Sequence, residues 1–171
     1  MVAIFGEKNV KKAQPFLEQS FELYQKHGDQ WGMALVLHNL GFLASVQGQY
    51  AEAEERFLKS LTKFQELGDK FRVGYVLISL GEVVRLQGEY ERAGKYYEQS
   101  LVIMGDLHSR FSLGFPMVNL AFVSLHASDH RKATALLEES LKLFYESGHE
   151  TNMTFCLMGF ASVLVVIGKP E

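Results

Sequence analysis

Four columns of residues return along this chain at a spacing of 40. Leu40-Gly41 is answered by Leu80-Gly81, and Leu120-Ala121 and Phe160-Ala161 hold the same places. Gly48, Gly88, Ser128 and Gly168 make a second column, and Ala13, Ala53, Ala93 and Ala133 a third. Gly28-Asp29 and Gly68-Asp69 make a fourth. Spacing held this strictly marks stacked supersecondary units, each burying its apolar face against its neighbours. The core must therefore lie between repeats, and the chain divides at the joints. One repeat domain covers residues 1–171, with a partial unit at 1–28, full units at 29–68, 69–108 and 109–148, and a partial unit at 149–171.

Two helical patterns alternate within each period. Outer helices are expected near 14–27, 51–67, 91–107 and 131–147, inner ones near 31–47, 71–87, 111–127 and 151–167. Ala53, Phe57, Leu61 and Phe64 recur at steps of three and four, with Glu52, Glu55, Lys59 and Lys63 covering much of the other side. That is the stripe of a helix with one solvated face. The inner helices are apolar almost all round, as helices with neighbours on both sides are. Gly48 and Gly88 stand where a helix must stop, and Asp29 and Asp69 where one must be capped. Joints of a few residues make successive helices antiparallel neighbours. The expected fold is all-α, an α–α superhelix of about eight helices. Pro15 reads as sitting near the start of the first outer helix, where its missing donor is harmless. Pro116 stands where Val36, Val76 and Cys156 stand in the other units, so the third inner helix should start late or bend.

Composition removes several functions. Seventeen basic and twenty acidic residues leave a net charge of −3, without the basic stripe of a nucleic-acid binder. The most apolar run, residues 155–167, falls short of the ~20 residues of a membrane span. A single cysteine, Cys156, excludes an internal disulfide framework and fits a reducing, cytoplasmic setting. It lies in an apolar helical run without a nearby base, which suits an inert buried thiol. Six histidines are scattered with no convergent four-ligand spacing, so no metal is expected. The glycines follow the repeat and form no phosphate loop. Neither a cofactor nor an enzymatic activity is expected.

The phrase Leu-Gly followed by Gly-x-Tyr-x-x-Ala-x-x-x-Phe resembles the tetratricopeptide repeat. Leu40, Gly41, Ala44, Tyr50, Ala53, Phe57 and Ser60 match it in one unit, and Leu80, Gly81, Val84, Tyr90, Ala93, Tyr97 and Ser100 in the next. The third unit keeps Leu120, Ser124, Ala133, Leu137 and Ser140 but departs at Ala121, Ser128 and His130. The familiar unit has about 34 residues, and the extra length adds about a turn to each helix. Such elongated units resemble the arrays of LuxR-like ATPase transcription regulators, of bacterial signalling proteins and of the kinesin light chain.

The resemblance implies a right-handed solenoid whose inner helices line a concave groove. Its register puts Leu35, His38, Phe42 and Ser45 on that groove in the first unit. Tyr75, Ile78, Glu82 and Arg85 follow in the second, Phe115, Val118, Phe122 and Leu125 in the third, then Phe155 and Met158. Apolar residues on an open concave face imply a cover. A partner peptide or helix, a second copy of the chain, or a filled interior without a groove each meets that demand. Glu82 and Arg85, three apart, either pair with each other or leave Arg85 to hold a partner carboxylate. Asn39 and Asn119 share a register, but Ser79 and Gly159 interrupt it and the basic residues of a carboxylate clamp are missing. The last inner helix, with Leu157, Val163, Leu164 and Val165, has no outer helix after it. Either the chain is a piece of a longer array or a partner covers that apolar side; self-association there is expected, a two-fold head-to-head dimer being the simplest form. The function that follows is a protein-interaction or assembly scaffold. The alternative is a regulatory or sensor segment of a larger signalling or transcription protein, or a self-associating structural module.

Overall fold

A computed structural model describes residues 7–107 and 110–168. Among them run eight α-helices: α1 Glu7–His27, α2 Gln30–Val46, α3 Tyr50–Glu66, α4 Lys70–Leu86, α5 Tyr90–Gly105, α6 Gly114–His126, α7 His130–Glu146 and α8 Glu150–Ile167. A 3₁₀ turn, Arg110–Leu113, leads into α6, and the described residues contain no strand. His108, Ser109 and Lys169 to Glu171 lie outside the described residues.

The joints are built as their residues require. Gly28, Gly48, Gly68, Gly88 and Gly148 all have positive φ, closing each helix in the left-handed conformation that glycine adopts without strain. After Gly28 and Gly68 the aspartate caps the next helix: Asp29 accepts from Gly32 N at 2.9 Å, and Asp69 from Arg72 N at 3.0 Å. α6 starts after α2 and α4 would in register, and Pro116 is its third residue, where no intrahelical donor is needed. Pro15 departs from expectation. α1 begins at Glu7, so Pro15 lies well inside the helix, on an exposed position. The longer first helix carries it there although the carbonyl one turn back loses its donor.

The outer helices α3, α5 and α7 each close a hairpin on the inner helix before it and also pack on the inner helix that follows, while α1 packs on α2. Ala53, Ala93 and Ala133 are all 0% exposed, as a close helix crossing requires. Phe57, Phe64, Tyr97, Met104, Leu137 and Phe144 fill the space between layers, each side chain contributing about 1.5–3 kcal/mol by leaving water. Gly41 has a packing cause, since a Cβ there would lie 2.8 Å from the Phe57 ring. The buried hydroxyls of Ser60, Ser100 and Ser140 make one repeated bond. They donate to the carbonyls of Ala34, Gly74 and Gly114 at 2.8, 2.9 and 2.9 Å, each worth about 1 kcal/mol.

Successive inner helices touch, α2 with α4, α4 with α6 and α6 with α8; the backbones of successive outer helices stay more than 8 Å apart among the described residues. Unequal spacing of the two layers bends the stack. The inner helices form its concave side.

Candidate functional site

The concave face is knitted by contacts between residues about 40 apart. His38 Nε2 lies 2.9 Å from Ser79 Oγ, and the Tyr75 and Phe115 rings meet tilted at 52° with centroids 5.7 Å apart. At the edge formed by the helix starts, the Trp31 indole donates to Asp69 Oδ2 at 3.0 Å, so one carboxylate caps α4 and fixes a ring of α2. The Arg72 guanidinium stands over Trp31 at 5.4 Å, a cation–π contact. Phe71 packs on Tyr75, and Phe111 on Phe115 and His149. This edge is a ladder of aromatic rings, one rung per unit.

The expected groove residues divide into three groups. Phe42 is 44% exposed, Phe155 36% and Met158 59%, so these are open surface. Leu35, Ile78, Phe115 and Phe122 are half-buried, each leaning on a core cluster. Val118 is corrected: at 6% exposure it belongs to the core with Ala121 and Leu137, because α6 presses against both neighbours there. Ser45 and Leu125 are half-buried.

His38, Glu82 and Arg85 are held by neighbours in the array. Arg85 donates to Glu82 from Nε at 3.0 Å and from Nη2 at 2.7 Å, and the Tyr97 hydroxyl donates to the same carboxylate at 3.4 Å. The Glu82 carboxylate holds the Arg85 guanidinium charged, raising its pKa. His38 packs its ring 5.2 Å from Phe57. Burial, and then the Arg72 charge, lower its pKa to about 4 against a smaller upward push from Asn39. It is a neutral imidazole at neutral pH. Asn39 is exposed, whereas Asn119 donates to the Phe115 carbonyl at 3.0 Å, so the two amides are not a pair aimed at one ligand.

Cys156 is buried against Ser140, 3.4 Å from its hydroxyl, and burial raises its pKa. Among the described residues no group of His, Cys, Asp and Glu gathers as metal ligands. Nor is any helix long and apolar enough to cross a membrane. The face offers apolar rings, short hydrogen-bonding side chains and a neutralised ion pair. Its chemistry suits holding a chain.

The family model of the tetratricopeptide repeat matches residues 2–66 and again, overlapping, residues 32–106. The chain belongs to the tetratricopeptide repeat family. Solved structures share the architecture of this tetratricopeptide array. It resembles a Signal Transduction ATPase with Numerous Domains protein with a tetratricopeptide repeat sensor from Pyrococcus horikoshii, with a TM-score of 0.78 at 20% identity, over 92% of this chain and 25% of that one. BtubC from P. vanneervenii gives 0.72 at 23% identity, over 82% of this chain and 59% of that one. A structure of nearly identical TPR-like repeats of a kinesin light chain from Podosopora anserina gives 0.63 at 16% identity, over 95% of this chain and 90% of that one. No curated protein matches the chain. At these identities the likeness is one of fold, and the chain spans 59% of BtubC and 25% of the Pyrococcus horikoshii protein. Tetratricopeptide repeats mediate protein–protein contacts or serve as sensor repeats, which sets proteins as the general class of partner.

Reading the groove by the family register missed the aromatic edge: Trp31, Phe71, Phe111 and the Arg72 beside them. The signal was present in the sequence, since Trp31, Phe71 and Phe111 form another column spaced by 40.

Proposed function

We propose that this tetratricopeptide array is a binding scaffold whose concave face takes an apolar helical or extended segment of a partner protein. One observation carries the reading: Trp31, Phe42, Phe71, Phe155 and Met158 remain between 36% and 59% exposed along the inner helices of one curved stack. Apolar surface gathered on a concave face favours a chain with apolar anchors at helical or alternate spacing. The charges on that face support the same class of ligand, because Glu82 and Arg85 neutralise each other and Arg72 is engaged by Trp31. The mechanism is binding without chemistry. A cytoplasmic setting agrees with a single, buried cysteine.

Panning a displayed random-peptide library against the chain tests this. Selected peptides should lose about tenfold or more in affinity on Phe42→Ala or Phe71→Ala, with the melting temperature unchanged. Peptides indifferent to both substitutions would sink the reading, and a parallel loss of stability would mean that these rings fill an interior. A second reading, a regulatory or sensor segment of a larger signalling or transcription protein, is favoured by the likeness to a protein whose repeats are described as a sensor. In that case the groove is covered by a neighbouring domain and opens when an effector displaces it.

A further inference from the structure

The aromatic edge holds hydrogen-bonding groups that an apolar ligand alone would leave unmet. Phe71 on α4 has a unit on either side of it and is still 37% exposed, close to the 40% of Trp31 on α2. Exposure is therefore a property of the edge itself. Behind Phe71 the rings continue without a break. Tyr75 lies 4.8 Å from Phe71 and 5.7 Å from Phe115, and Phe115 meets Phe111 edge-on at 6.5 Å. α2, α4 and the turn leading into α6 each add one rung, and packed helices lie about 8–10 Å apart. A ligand crossing the rungs must present apolar groups at about that interval.

Two donors stand among these rings. The Arg72 guanidinium lies over Trp31 at 5.4 Å, yet among the described residues its N–H groups donate to no protein acceptor. The half-buried Tyr75 hydroxyl likewise has no hydrogen-bond partner among them. The acceptors nearby are already used. Asp69 accepts from the Trp31 indole with one oxygen and from the Arg72 backbone with the other, and Ser79 Oγ is tied to His38. Water serves both donors while the edge is open. A ligand that covers it must supply acceptors in exchange, and finds few acceptors for N–H groups of its own.

Those two demands separate the forms a peptide can take. In a helix, residues seven apart recur at about 10.5 Å, near the rung interval, but its carbonyls are consumed internally and only acidic side chains could meet the donors. A strand repeats a face at about 6.6 Å, short of the interval, and brings N–H groups that the edge cannot accept. A polyproline II segment repeats at about 9 Å, keeps its carbonyls free, and at each proline has no N–H. We infer that the aromatic edge binds a proline-rich segment of a partner protein in the polyproline II conformation. Its proline rings lie on Trp31, Phe71 and Phe111, and its carbonyls accept from Arg72 and Tyr75. The inference rests on the reading of the array as a binding scaffold and names the ligand of one edge of it. Such a segment arrives already extended, so little chain entropy is lost on docking.

Trp31 is the single tryptophan, so its emission reports directly on the edge. Titration of the 171-residue chain with decaproline should shift that emission to the blue and saturate. Binding should be at least about tenfold tighter than to a ten-residue peptide of alanine and glutamate. Phe71→Ala should weaken decaproline about tenfold, and Tyr75→Phe, which keeps the ring and removes the donor, about threefold. Neither side chain is fully buried, so both variants should keep the wild-type helicity and melting temperature. Phe42→Ala, about three turns along α2 from Trp31, should leave decaproline binding unchanged. Failure of decaproline to saturate, equal or tighter binding of the acidic peptide, or indifference to both Phe71→Ala and Tyr75→Phe overturns the inference. Library-selected peptides that still depend on Phe42 and Phe71 would then leave the scaffold reading standing, and their absence would end both.

Discussion

Ser128 is the one non-glycine residue with positive φ among the described residues, at 60°, and it stands in the column otherwise held by Gly48, Gly88 and Gly168. An L side chain in that conformation costs about 1–2 kcal/mol. Ser128→Gly should therefore stabilise the array by about 1 kcal/mol in urea unfolding, part of the gain being offset by the freer unfolded glycine. His38 gives a second prediction at this scale. Its folded pKa of about 4 lies below the ordinary 6.5, so between those values the unfolded chain binds the extra proton. Stability should fall as pH drops from about 6.5 towards 4, by about 3 kcal/mol at most, and be level above that window. Unfolding curves at intervals of pH should show this slope in the wild type and a flatter one in His38→Gln.

At the scale of helices, the pairing of ring with glycine or leucine with alanine decides how closely each hairpin closes. Gly41→Ala should cost about 1–3 kcal/mol despite alanine's better helix propensity, because the new methyl meets the fully buried Phe57 ring. Adding Phe57→Leu copies the Ala121–Leu137 pair, and the double variant should lose less than the sum of the two single ones. A double-mutant cycle in denaturant measures that coupling, and additive losses would contradict the packing account. The stripes and stops of these helices were legible in the sequence, since small, aromatic and capping residues recur by column. The length of α1 was not, since Pro15 favours a start at that point and the helix nevertheless runs on from Glu7. Nor was the burial of Val118. A valine at a register position reads as groove-facing, and only the approach of α6 to both neighbours turns it inward.

Across the whole molecule, stability accumulates from hairpins and the interfaces between them. The middle of the stack has neighbours on both sides, whereas α8 keeps Leu157, Leu164 and Val165 more than half exposed. Native-state amide exchange at low concentration should accordingly show the strongest protection in α3, α4 and α5, and the weakest in α1 and α8. Uniform protection along the chain would mean that the array unfolds only as one unit. The long-range ties on the outer side are few: Arg92 bridges from α5 to Glu54 on α3, and Lys70 reaches Asp106 at 3.4 Å. The Lys70–Asp106 pair is exposed and contributes about 0–1 kcal/mol, and Arg92–Glu54 is half-buried; curvature follows from the apolar contacts of the inner layer.

A spacing of 40, with glycine, alanine and aspartate at fixed places, was enough to determine helices, joints, hairpins and stacking. Each of those features depends on neighbours close along the chain, and local sterics and periodicity are written in the residues themselves. Which apolar side chains stay open was decided only in three dimensions. Val118 and Phe42 look alike as helical apolar positions, yet one is sealed by adjacent repeats and the other remains on the concave surface. Exposure depends on how far apart neighbouring helices come to rest, and that distance is set by packing across units 40 residues apart.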